Sequence, residues 1–317
     1  GSLFSGRPVE FHAREIGADQ FGWNIANASL ADILAGPLSA SPNLARVAAR
    51  VATFDFSGEL AEITTNDGRR YRARLVVGAD GRGSSARKAA GIDVRTGRYG
   101  QSALTMFLKH TRPHGDFSTE FHTRQGPFTL VPLRPAGAAR FRSSLVWVMS
   151  EAEAKRRAAL DDDELAGEVE ERARGMLGAI GIESERGIFP MVRQTVARLT
   201  ATRLALVGDA AHAFPPIGAQ GLNLGLRDVE QLLGAAKAAR SHGLDIGSEA
   251  MLARYAASRR ADIALRTMAV DGLNRSLLAD FAPIDALRGL GLTALRHFAP
   301  LRRMVMRQGV GPRPQPV

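Results

Sequence analysis

From Ser102 to Trp147 the chain alternates apolar and polar residues in short runs: SALTMFLKH, STEFHT, GPFTLVPL and RSSLVWVMS, divided by breaks containing Gly or Pro. A period of two predicts an antiparallel sheet. The texture before it differs. Residues 21–36 begin extended and then carry Leu30, Ile33 and Leu34 at helical spacing, with Gly36-Pro37 predicted to stop the helix. Strand-like runs follow at Ala45–Phe56, Leu60–Thr65 and Tyr71–Val77, and Asn66-Asp67-Gly68 between the last two predicts a hairpin. Leu75-Val76-Val77 and Leu204–Val207 are continuously apolar, as in strands buried on both faces. Glu151–Ile180 reads as helix, Phe189–Leu199 as strand, Gly221–Arg240 as helix, and most of the remainder as helical. The Pro/Arg-rich end, Gly309–Val317, is expected to fray.

The order is mixed helix and strand, then antiparallel strands, then a return to a buried strand and helices. Such a chain leaves one domain, builds a second and comes back. Boundaries are expected near 1–100, 101–197, 198–270 and 271–317, with a ligand site where the two domains meet. A length of 317 residues accommodates this.

Composition removes several chemistries. The chain has no cysteine, which excludes disulfides, thiolate metal sites and Cys nucleophiles and fits a reducing, cytoplasmic compartment. The histidines at 12, 110, 114, 122, 242 and 297 show no metal-ligand spacing, so no metal is expected. No apolar run is long enough to span a bilayer. Gly1-Ser2 resembles a cleavage scar. The net charge of +10 is unevenly spread: after Asp285 there is no acid, while Arg288, Arg296, Arg302, Arg303, Arg307 and Arg313 follow. A basic end can face a membrane, an acidic partner or nucleic acid, or simply be a solvated face. Nucleic acid is disfavoured, because the chain lacks zinc ligands, an RNP-like aromatic strand and a recognition helix.

Two segments carry chemistry. In Arg203–Leu232, a buried strand ends at Val207 and Gly208 permits close backbone approach. Asp209 then stands at the carboxyl end of the strand, where α/β folds place ligands and where a carboxylate can accept hydrogen bonds from sugar hydroxyls. Pro215-Pro216 stiffens the loop, and Gly218 and Gly221 relieve its steric limits. Gly221-Leu222-Asn223 opens a helix whose free N–H groups favour an anion. In Leu75–Arg87 a strand leads to Gly78, Asp80-Gly81, Ser84 and Arg87; Asp80 and Ser84 can cap the next helix, and Arg87 can reach a phosphate or carboxylate. Gly81–Ala86 also fits G-x-G-x-x-A, but no second strand ending in an acid follows at the spacing a dinucleotide fold needs, so that match is rejected. The match at Gly289–Ala294 has no strand before it.

These residues resemble two signatures of the single-component flavoprotein hydroxylases, the para-hydroxybenzoate-hydroxylase-like superfamily. Asp80-Gly81-x-x-Ser84-x-x-Arg87 is similar to their DG motif, and Gly208-Asp209 with Pro216 and Gln220-Gly221-Leu222-Asn223 to their GD motif. Asp271–Arg275 (DGLNR) and Leu301–Gln308 (LRRMVMRQ) resemble the ubiquinone-biosynthesis branch. The resemblance implies an α/β fold (α+β overall): an FAD-binding Rossmann-like domain interleaved with an antiparallel-sheet substrate domain, plus C-terminal helices. It implies an FAD-dependent monooxygenase that uses NAD(P)H and O2 to hydroxylate an aromatic, polyprenylated ring through a flavin C4a-hydroperoxide. The flavin then carries the hard chemistry, and no side chain is assigned as catalytic. On the family pattern Asp209 holds the ribityl chain and Pro216 with the Gly218–Asn223 backbone, Gln220, Gly221 and Leu222 included, lines the flavin ring. Asp80 and Arg87 fall near the pyrophosphate and nicotinamide approach.

The departures shape the expectation. The family opens with a strand and a G-x-G-x-x-G loop, and no such segment occurs here, so the first βαβ unit is expected to be lacking. The chain alone is then expected to bind FAD weakly and to be inactive. Ala28 stands where the family carries Arg, Pro215 where it carries His, and Gly218-Ala219 inverts its Ala-Gly pair. His212 is read as structural, Trp147 and Phe128 as core packing, and Asp161–Glu164 as a solvated helix start. Phe281–Met306 is amphipathic and basic, either a terminal helix pair or a surface for a membrane or a biosynthetic complex. The alternatives are a hydroxylase of a soluble aromatic or polyketide, and a non-catalytic assembly component without a complete FAD site.

Overall fold

The computed structural model describes residues 8–123, 126–213, 220–278, 291 and 293–310. The chain divides into two compact units: one holds the residues up to Ser41, Ser102–Phe189 and those from Arg275, the other Pro42–Gln101 and Pro190–Asn274. The first unit thus also takes in the opening helix, which the sequence boundaries grouped with residues up to 100.

In chain order the elements are α1 (Asn27–Ala40), β1 (Val51–Asp55), β2 (Ala61–Thr65), β3 (Arg70–Ala73), β4 (Val76–Gly78), α2 (Ser85–Ala89) and β5 (Val94–His110). Then come β6 (Thr119–Thr123), β7 (Gly126–Leu133), β8 (Phe141–Ser150), α3 (Glu151–Ala158), α4 (Asp162–Arg172), β9 (Ile180–Ile182) and β10 (Gly187–Val196). The last group is β11 (Thr200–Ala201), β12 (Leu204–Leu206), β13 (His212–Ala213), α5 (Gln220–Ser241), α6 (Glu249–Leu278) and α7 (Ala299–Val310).

In the first unit β8 lies between β5 and β7, β6 follows β7, and β9 pairs with β5. Registers set Phe121 opposite Phe128 and Phe128 opposite Trp147, so one face carries three aromatic rings in a row. Their centroids are 5.9 and 5.1 Å apart, both edge-to-face. Leu165 and Val169 of α4 and Ala154 of α3 complete this core. The segment read as one long helix breaks at Leu160-Asp161, because Asp161 accepts a hydrogen bond from the Glu164 N–H at 2.8 Å and starts α4 afresh. Trp147 and Phe128 are core residues, 1% and 0% exposed. Helix α1 runs through Gly36-Pro37 to Ala40. Proline frees the carbonyl four residues back, and every residue of this helix lies partly or fully in solvent, where water can satisfy that group.

In the second unit β1, β2 and β3 form an antiparallel meander whose Asn66-Asp67-Gly68 turn puts Gly68 at φ +83°. A second sheet has the order β11-β12-β4, with β12 and β4 parallel. The Tyr71–Val77 run therefore splits between two sheets. Strand β12 is buried on both faces: Ala205 and Val207 pack on α5 and α6, while Leu204 and Leu206 meet Ala86 and Ile92. Strand β4 is not buried as expected. It is an edge strand among the described residues, and Val77 is 46% exposed.

Candidate functional site

Strands β4 and β12 end side by side, with Leu206 opposite Gly78 and the Val207 N–H donating to the Gly78 carbonyl at 3.0 Å. Only glycine fits at 78: a Cβ there would lie 2.8 Å from the buried Leu206 Cδ2. The parallel pair brings the DG and GD turns together at the carboxyl ends of two strands, where α/β folds bind ligands.

The DG turn is held by caps. The Asp80 carboxylate accepts from the Ser85 N–H at 2.6 Å, the Ser85 hydroxyl at 3.0 Å and the Ala86 N–H at 3.1 Å. Ser84 accepts from the Arg87 N–H at 3.0 Å. Burial disfavours the Asp80 charge, but hydrogen bonds from Ser84, Ala86 and Ser85 outweigh it and keep its carboxyl below the ordinary range. Arg87 does not stand open to a phosphate. It is 4% exposed, and its two Nη groups donate to the carbonyls of Ala210 at 2.8 Å and Arg82 at 2.7 Å. It clamps the DG turn to the GD turn. Helix α2 has five residues and leads into β5, so the rejected G-x-G-x-x-A match opens no βαβ unit.

In the GD turn Gly208 adopts φ +57°, and a Cβ built on Gly225 of α5 would lie 3.4 Å from its Cα. Helix and turn lie close enough that a single Cβ would fill the gap between them. Asp209, next in line, is exposed. Beneath it, Asp228 of α5 is 0% exposed. Its carboxylate accepts from the Gly208 N–H at 2.8 Å, pairs with His212 Nε2 at 2.7 Å and accepts from Arg259 Nε of α6 at 2.7 Å. Burial works against the Arg259 charge, yet hydrogen bonds to Asp228 and Asp262 raise its pKa above the ordinary value. The Tyr255 hydroxyl donates to the Leu206 carbonyl at 2.7 Å, fixing the end of β12. His212 is thus structural, as its context in the sequence suggested.

Of the residues singled out from sequence, the structure brings together Asp80, Arg87, Gly208 and Asp209, with Gly221, Leu222 and Asn223 exposed at the N-terminal end of α5. Pro216 and Gly218 lie outside the described residues, as does the Gln220 side chain. Asp228, Arg259, Tyr255 and Gly225 were missed. A signal for Asp228 existed: it interrupts the apolar stripe Leu224, Leu232, Ala235, Ala239 that α5 buries.

These features fit a flavin nucleotide. An exposed carboxylate follows a buried strand, and a glycine at Gly208 leaves the turn free of a side chain beside it.

A family profile described as FAD binding domain matches residues 27–269. Ubiquinone hydroxylase UbiL of Rhodospirillum rubrum is 37% identical over 310 residues, covering 96% of this chain and 71% of that protein. The 3-demethoxyubiquinol 3-hydroxylase of Escherichia coli is 31% identical over 304 residues, covering 96% and 76%. Among solved structures, p-nitrophenol 4-monooxygenase PnpA from Pseudomonas putida DLL-E4 superposes with a TM-score of 0.70 at 20% identity, covering 91% of this chain and 73% of that one. PqsL of Pseudomonas aeruginosa, a probable FAD-dependent monooxygenase, gives 0.68 at 23% identity, covering 84% and 72%. At those identities the two structures establish the shared fold.

Proposed function

The chain belongs to the FAD-dependent monooxygenase family, among the aromatic-ring hydroxylases, and from that premise we propose that it uses NAD(P)H and O2 to hydroxylate the ring of a ubiquinone precursor. The observation that carries the reading is the Gly208-Asp209 turn, with an exposed carboxylate set on a buried Asp228–Arg259 pair. When bound, the flavin supplies the redox chemistry, taking up reducing equivalents and activating O2.

The protein's own part is positioning. Asp209 would hold the ribityl hydroxyls. Gly208 and Gly225 keep the turn free of side chains. The N-terminal end of α5, at Gly221–Asn223, favours negative charge at the flavin ring. Asp80 and Arg87 shape the turn on the pyrophosphate side, with Arg87 acting through the carbonyls it holds. The named substrates of UbiL and of the E. coli hydroxylase support a lipophilic phenol here. No helix among the described residues is long and apolar enough to cross a membrane.

The test uses the protein at its natural length with FAD, NADH or NADPH, isotopically labelled O2, and either a short-chain prenyl phenol or a soluble phenol. Labelled oxygen in the prenyl product supports the reading. Oxygen delivered only to the soluble phenol shifts it to a soluble-substrate hydroxylase, and peroxide release with every substrate ends it. Asp209→Ala should weaken FAD binding about 10- to 100-fold, the loss of hydrogen bonds to a charged acceptor.

A further inference from the structure

Among the described residues near the C-terminal end, Arg303 and Arg307 lie on one face of α7. Helix α7 is fixed in orientation by Arg302, which pairs with Glu15 at 2.6 Å and donates to the carbonyls of Leu295 and Arg296, both at 3.0 Å. Met306, one turn on, is buried at 5% exposure. At 100° per residue, 302 and 306 share the inner face, and 300, 303, 304 and 307 share the outer one. The outer face presents Arg303, Arg307, Pro300 and a 50% exposed Met304; just before the helix, an exposed Arg296 adds to it, seven residues before Arg303. No carboxylate follows Asp285 in the sequence, and Glu15 is already paired with Arg302.

We propose that this face of α7 docks the protein on an anionic lipid surface. Three exposed arginines match a negative headgroup layer, and apolar groups set among them match the acyl boundary beneath. A nucleic-acid backbone or an acidic protein offers the charge but gives Met304 and Pro300 no apolar layer to enter. The proposal rests on the lipophilic-substrate reading above, to which it adds the docking surface and the lipid charge class.

The experiment is vesicle flotation of the natural-length protein, with phosphatidylcholine alone and with phosphatidylcholine containing phosphatidylglycerol. Binding should appear only with the anionic vesicles and fall steeply as salt rises. Arg303→Glu with Arg307→Glu should reduce partitioning by about tenfold or more. Met304→Ser should reduce it at every salt concentration. Both variants should keep the thermal midpoint and the activity on a soluble phenol. Failure of the unmodified protein to float, flotation indifferent to the variants, or equal binding to duplex DNA that ignores Met304 would overturn the proposal. Prenyl-phenol hydroxylation in detergent without flotation removes the docking surface alone; flotation without hydroxylation removes the substrate reading alone.

Discussion

Both units bury an arginine beside carboxylates, and each uses it differently. In the first, Arg157 is 7% exposed and lies 4.4 Å over the Trp147 ring, with Glu153 and Glu168 at 2.6 and 2.8 Å. Both carboxylates still reach water, so this charge sits at the margin of an apolar core. In the second, Arg259 and Asp228 are 2% and 0% exposed, and Asp228 also holds the Gly208 N–H and His212. A fully buried ion pair adds little net stability over apolar residues of the same volume. What it adds here is direction, because the carboxylate fixes the backbone of the turn that presents Asp209. One core packs, and the other aims.

The largest test of that contrast is Asp228→Ala. It leaves Arg259 buried with only Asp262, at 2.7 Å, as a counter-charge, and should cost about 3 kcal/mol in urea denaturation. FAD binding should weaken as well. Adding Arg259→Met should restore much of the stability and none of the flavin affinity; restored affinity would show that the pair does not aim the turn. Next is Trp147→Ala, expected to cost about 3–5 kcal/mol through lost burial and a cavity. Refolded at low temperature, that variant should keep its flavin affinity, and loss of affinity without loss of fold would blur the contrast.

The smallest effect is in pH dependence. His110 is buried; its Nδ1 lies 2.8 Å from the Arg112 carbonyl and its Nε2 3.0 Å from the Ser143 hydroxyl. Burial lowers its pKa below 6.5, opposed by the Arg112 carbonyl and helped by His114. The unfolded chain then binds more protons than the folded one just below that value. The contribution is intact above about pH 6.5 and is lost as pH falls toward the folded pKa. The unfolding midpoint of His110→Gln should depend less on pH between about 7 and 5 than that of the unaltered protein. Equal slopes would remove His110 as the cause.

What the sequence made legible follows from periodicity. Four strands with period two, the Asp-Gly hairpin and the buried β12 all declare themselves through residue spacing, and the motifs at Asp80 and Gly208 through residue identity. What it hid depends on neighbours distant in the chain. Val76 and Val77 read as a buried strand, but burial requires partners on both sides, and spacing cannot count them. Asp228 interrupts the apolar stripe of α5, but nothing in the sequence names Arg259, on another helix, as the partner the fold puts 2.7 Å away. Arg87 reads in the sequence as able to reach a phosphate or a carboxylate, because its carbonyl partner at Ala210 is 123 residues away.

That last distance bears on the order of assembly. The DG turn is complete in sequence by Arg87, yet its clamp and the strand beside it come only after the whole antiparallel unit has been made. A chain emerging from the ribosome would carry β4 as a waiting template, with Val77 and an unpaired strand edge open to strangers. Pairing across so long a loop is slow to nucleate. The nucleotide site should therefore be among the last parts of the molecule to form, and yield during synthesis should depend on how well that edge is guarded while it waits.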